Sequence, residues 1–102
     1  STYNKLKQSY AEPASALDTT TSVATGSAGT AILKSTKKEL TINNPLVTEN
    51  SLIYITPVGN ATNQVLYLLR QVAESITTNG SFTVGIAAPT LQDIQFNWII
   101  VN

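Results

Sequence analysis

Asp93-Ile94-Gln95-Phe96-Asn97-Trp98-Ile99-Ile100-Val101 reads with a period of two. Successive side chains of an extended strand point to opposite faces, so Ile94, Phe96, Trp98 and Ile100 share one face and Gln95, Asn97, Ile99 and Val101 share the other. The first row is a core row. The second begins polar and ends apolar, so the C-terminal half of this strand is expected to be covered on both sides. Ser81-Phe82-Thr83-Val84-Gly85-Ile86 alternates more simply, with Phe82, Val84 and Ile86 on one face and small groups on the other, as a half-buried strand does.

Working outward, short β-rich runs alternate with turn signals from Thr30 to Asn102, the pattern of an all-β chain. Strands are expected at Thr30–Lys34, Glu39–Asn43, Ser51–Thr56, Gln64–Ala73, Ser81–Ala87 and Asp93–Val101. The connections Lys37-Lys38, Asn43-Asn44-Pro45, Pro57-Val58-Gly59-Asn60, Thr78-Asn79-Gly80 and Ala88-Pro89 carry the residues that turns use. The expected fold is an antiparallel β-sandwich, jelly-roll-like, of about six or seven strands with an N-terminal arm. A buried helix competes over Val65–Glu74, where Leu and Ala are good helix formers, but the strand reading is preferred. Leu52–Ile55 and Val65–Leu69 are continuous apolar runs, which fits either central strands or a second face hidden by another chain.

Composition changes near Gly29. Residues 1–29 hold few large apolar side chains and include Thr19-Thr20-Thr21-Ser22 and the linker-like Gly26-Ser27-Ala28-Gly29, so they read as an arm and hinge, with 30–102 as the sandwich domain. Within the arm, Tyr3, Leu6 and Tyr10 fall at helical spacing, Pro13 would interrupt a continuous helix, and an extended arm reads equally well.

Charged residues make up 12% of the chain, about half the usual share, with Thr, Ser and Asn in their place, a surface suited to packed extracellular arrays. Basic and acidic residues cancel at six each, so no footprint points to nucleic acid. No run reaches the length of a membrane span. The chain starts at Ser1 and contains no methionine, which reads as a processed or trimmed N-terminus. A core of about seventy residues is marginal alone, and without cysteine the remedy left is assembly.

Catalysis is not expected. The chain has no histidine, the usual base for a Ser, Thr or Cys nucleophile. Glu49 with Asp93, or Glu39 with Glu74, would have to meet in space to make a glycosidase pair, and no local motif brings them together. No cofactor motif is present, and any metal would need oxygen ligands from acidic residues that are scattered singly, so neither cofactor nor metal is expected. Asn60-Ala61-Thr62 and Asn79-Gly80-Ser81 are sequons at expected turns, making Asn60 and Asn79 candidate glycosylation acceptors. Trp98 is read as core in preference to a sugar-stacking platform. Arg70 is read as a rim residue or as half of a buried ion pair with Glu74, Glu49 or Asp93. Lys34, Lys37 and Lys38 read as a solvated hairpin end.

Val47-Thr48-Glu49-Asn50-Ser51-Leu52-Ile53-Tyr54-Ile55-Thr56-Pro57, then Leu66-Tyr67, Gly80-Ser81-Phe82-Thr83-Val84 and Asp93–Ile100, together form a pattern that resembles the C-terminal β-domain of phage tail-fibre-like and bacterial surface fibre proteins. The resemblance covers about Thr30–Asn102 and implies a fold more than an activity. Leu68-Leu69 departs from it, standing where a small polar residue is usual, and so does the short arm in place of a stalk. Both departures favour a body that stacks on copies of itself.

The expected function is therefore a structural, self-assembling subunit of an extracellular or cell-surface filament, polymerising through its arm by strand complementation, with Tyr3, Leu6, Tyr10, Leu17, Leu68, Ile99 and Val101 at the interface. The rival readings are a receptor- or carbohydrate-binding tip, using Tyr54, Tyr67 and Trp98 or Asn60, Asn63 and Asn79, and a virion decoration protein.

Overall fold

A computed structural model of the chain describes residues 20–102. It contains seven strands: β1 (Thr21–Val23), β2 (Ala28–Leu33), β3 (Glu39–Asn43), β4 (Leu52–Val58), β5 (Tyr67–Val72), β6 (Ser81–Gly85) and β7 (Ile94–Val101). They form two sheets, β1-β3-β6-β5 and β2-β7-β4, stacked as a sandwich with β2 across from β3 and β4 across from β5. Every pairing is antiparallel except β1 with β3.

The core is built by the alternation seen in the sequence. β7 contributes Ile94, Phe96, Trp98 and Ile100, β6 contributes Phe82 and Val84, β3 contributes Leu40 and Ile42, and β2 contributes Leu33. Trp98 is 4% exposed and meets Phe82 edge-to-face across the two sheets, their ring centroids 5.3 Å apart. That geometry suits the aromatic quadrupoles and excludes Trp98 as a sugar platform.

Three differences from the sequence reading have physical causes. Residues 21–23 and 28–29 lie in the sheets, and 24–27 connect them. Thr21–Val23 pairs with Thr41–Asn43, and Ala28 and Gly29 pair with Ile99 and Trp98. Gly29 serves packing there, because a Cβ at that position would lie 2.7 Å from the Trp98 ring. Composition alone reads such a glycine as linker.

The stretch Val65–Glu74 forms a strand over Tyr67–Val72, bulged between Leu68 and Arg70. Ladder bonds to β6 override the helix propensity of its leucines. Finally, β4 and β5 are edge strands, so the central-strand explanation of their apolar runs does not hold. Leu52, Tyr54, Tyr67, Leu68 and Leu69 are instead more than a third exposed.

Buried polar groups hold one end of the sandwich. Asn44 is buried, and its side-chain amide donates to the Gly26 carbonyl at 2.7 Å while its oxygen accepts from the Leu46 backbone N–H. Ser51 Oγ donates to Asn102 Oδ1, and Asn102 Nδ2 donates to the Leu46 carbonyl, clasping the end of β7 to the β3–β4 loop. Satisfied in this way, these groups fix the register of the elements they join.

Candidate assembly surface

The outer face of the β2-β7-β4 sheet follows from the second row of β7. Val101 stands opposite Leu52, and Ile99 stands between Tyr54 on β4 and Ala28 on β2. Directly opposed side chains in a sheet lie about 4.5–5.5 Å apart, so these residues form one continuous patch. Leu52 and Tyr54 are 56% and 55% exposed, Ile99 44% and Val101 41%. Among the described residues nothing covers them.

Toward the other end the same face turns polar at its centre. Asn97 stands between Thr30 and Thr56, with Thr30 Oγ1 donating to Asn97 Oδ1 at 2.8 Å, and Gln95 stands between Ile32 and Val58. Lys34 and Asp93 close that end. Asp93 accepts from the Ser35 backbone N–H at 2.8 Å and from Lys34 Nζ at 3.0 Å, and these two bonds hold its carboxyl below the usual carboxylate range, the backbone bond contributing most.

The outer face of the other sheet is different. Tyr67 lies over Gly85, where a Cβ would sit 3.3 Å from its ring. Arg70 reaches over β6 to Glu39, 3.7 Å away, and donates to Thr83 Oγ1, while the Thr83 and Thr41 hydroxyls share a 2.8 Å hydrogen bond. Thr83 is thereby 1% exposed although it points outward. The centre of this face is covered by its own side chains.

Of the expected interface residues, Ile99 and Val101 come together on the apolar patch. Leu68 stands opposite Val84 on the flank of the other sheet, apart from them. Tyr3, Leu6, Tyr10 and Leu17 lie outside the described residues. Tyr54 and Tyr67 are on opposite outer faces and Trp98 is between the sheets, so the three do not form one groove. Asn60 is exposed, its side chain accepting from the Thr62 N–H in an Asx-turn, and Asn79 is exposed beside Glu74 in the β5–β6 turn.

Arg70 is a rim residue, and its acidic neighbour is Glu39 rather than any of the three candidates read from sequence. Lys34 is in the ion pair with Asp93. The two carboxylate pairs do not form. Glu39 stands opposite Gly85 while Glu74 accepts from the Gly80 N–H, placing them at opposite ends of β6, about 16 Å apart at strand rise. Asp93 and the loop of Glu49 are likewise at opposite ends of β7. Among the described residues no three acidic side chains cluster as a metal would need.

The members that sequence reasoning left out of the patch are Leu52 and Tyr54. Alternation in Leu52-Ile53-Tyr54-Ile55 separates them from the inward Ile53 and Ile55, but nothing local says that β4 borders β7.

No family model, curated protein or solved structure matches the chain. The likeness to tail-fibre-like domains accordingly rests on the residue pattern alone.

Proposed function

We propose that this chain is a structural, non-catalytic subunit of an extracellular or surface assembly, and that its partner is another copy of itself. The observation that carries this reading is the uncovered patch of Leu52, Tyr54, Ile99 and Val101 on the outer face of β4 and β7. A patch of this kind, on the order of a few hundred Å², is what an association surface needs at its centre. The body is also small and flat, 42 × 33 × 18 Å, so much of its apolar surface stays near solvent until it stacks. Polymerisation through the N-terminal arm remains the preferred mechanism, with the arm shortened to residues 1–19 because Thr21–Val23 and Ala28–Gly29 pair in the sheets.

The test compares the full chain with an Ile99→Asp/Tyr54→Ser variant by light scattering and negative-stain microscopy. Ordered assemblies from the full chain, and compact folded monomers from the variant, support the reading. Monomeric full chain at high concentration overturns it.

A second reading, a glycan- or receptor-binding tip, is favoured by one specific feature. Asn63, Gln64 and Gln92 line an open groove beside the exposed Leu91, and their side-chain amides have no hydrogen-bond partner among the described residues. Free amides suit a hydroxyl-rich ligand. Oligosaccharide binding abolished by Gln92→Ala, in a chain that stays monomeric, would select this reading over assembly.

A further inference from the structure

We propose that the open edge of β2 is the acceptor for a strand donated by residues 4–10 of a second copy. This rests on the assembly reading and adds the site at which the arm docks. The two sheets have four edges, and they are not equally open. β4 carries Pro57, which lacks an N–H. β5 is bulged between Leu68 and Arg70 and bears the arginine charge. Both devices discourage pairing. β1 is three residues long. β2 has none of these guards: Ala28–Leu33 pairs with Ile99–Ile94 without a break, and contains no proline, bulge or charge. Apart from those to β7, no described residue makes a backbone hydrogen bond to it.

The sandwich also has room there. The first sheet has four strands and the second three, and β2 already lies across from β3. β1 continues the first sheet beyond β3 and packs against no strand of the second sheet. A strand added to β2 would fill the place across from β1, completing four on four.

Chain path and sequence supply the donor. Residues 1–19 lead into β1 at this same flank, through Thr20, whose carbonyl accepts from the Thr41 N–H. Fully extended, nineteen residues span about 60 Å, more than the 42 Å length of the body, so the arm reaches a neighbouring copy. In Asn4-Lys5-Leu6-Lys7-Gln8-Ser9-Tyr10 a period of two puts Leu6 and Tyr10, with Asn4 and Gln8, on one face and Lys5, Lys7 and Ser9 on the other. Docked on β2, the first face turns toward the sandwich and the lysines toward solvent, where they guard the new edge.

The chain has no cysteine, so single cysteines report proximity cleanly. Full-length Lys7→Cys is mixed with full-length Thr30→Cys on β2, or with Leu69→Cys on β5, under oxidising conditions during assembly. Lys5→Cys and Ser9→Cys repeat the measurement at neighbouring registers. A disulfide needs Cα atoms within about 7 Å, so the arm should link to Thr30→Cys about tenfold more than to Leu69→Cys. Assemblies that form with no such preference overturn the acceptor site and leave the assembly reading standing. Thr30→Cys linking only to itself overturns the arm as occupant, since β2 edges would then pair with each other. A link confined within single chains of a Lys7→Cys/Thr30→Cys double variant overturns the second copy as donor. Light scattering that shows no assembly of the wild-type chain overturns both proposals together.

Discussion

The two outer faces of this sandwich are built from strands of similar composition yet end in opposite states. On the β3-β6-β5 side, Tyr67 lies over Gly85 and Arg70 spans β6 to Glu39, so the outward Thr83 is sealed by its own neighbours. On the β7-β4 side, Leu52, Tyr54, Ile99 and Val101 stand uncovered. One face has its centre sealed by polar contacts within its own chain. The other keeps an apolar row that no described residue covers, and this difference is what favours the proposed assembly.

The largest expected effect sets the inner reference for that comparison. Trp98→Ala, on the core row of β7, should cost about 3–5 kcal/mol, against a total of about 4–12 for a body this size. Urea denaturation followed by circular dichroism measures it. One residue along, Ile99→Thr with Val101→Thr should cost about 1 kcal/mol or less of monomer stability, because these side chains are partly exposed and meet cross-strand neighbours on the outer face instead of the core. The same pair should raise the concentration needed for assembly about tenfold or more, each lost apolar contact contributing about 1 kcal/mol. Equal stability losses for the two rows would mean that the outer row is packed, and the contrast between faces would fail.

On the self-covered face the effect should be smaller. The Arg70–Glu39 pair is about half exposed at both ends, and exposed pairs contribute about 0–1 kcal/mol. Glu39→Gln should therefore shift the urea midpoint only slightly and leave assembly unchanged by light scattering. A loss of assembly would show that this face, too, is a contact surface.

How much of this was legible in the sequence follows from the range of each signal. Alternation in Phe82-Thr83-Val84 and Ile94–Ile100 is local, and both core rows were readable. The apolar second row ending in Ile99 and Val101 was readable for the same reason. Adjacency was not. That Tyr54 meets Ile99, or that Arg70 meets Glu39, depends on strand order, which no local pattern encodes. Gly29 was misread because a glycine under an indole and a glycine in a linker look alike until Trp98 is placed beside it. β1 was missed for its three-residue length and because its partner, β3, is distant in sequence.

The smallest effect concerns the polar end of the exposed face, and it separates what closes that end from what leaves the other end open. Asp93, held by the Ser35 N–H and Lys34, has a folded pKa below its unfolded value. A depressed carboxyl pKa gives stability that is fully present above the unfolded pKa, near 3.8, and is lost as pH falls through the folded one. Asp93→Asn keeps an acceptor for Ser35 but loses the charge. Wild type should therefore exceed Asp93→Asn in urea midpoint at neutral pH, and the gap should close only below the ordinary carboxylate range. The side chain is solvated, so the gap should be small and should shrink further in high salt. Contact through the apolar patch should not respond to this substitution, because Lys34 and Asp93 lie at the opposite end of the sheet from Val101 and Leu52. If Asp93→Asn impairs assembly while leaving the midpoint unchanged, the contact between copies extends over the polar end, and the apolar patch is its centre rather than its whole extent.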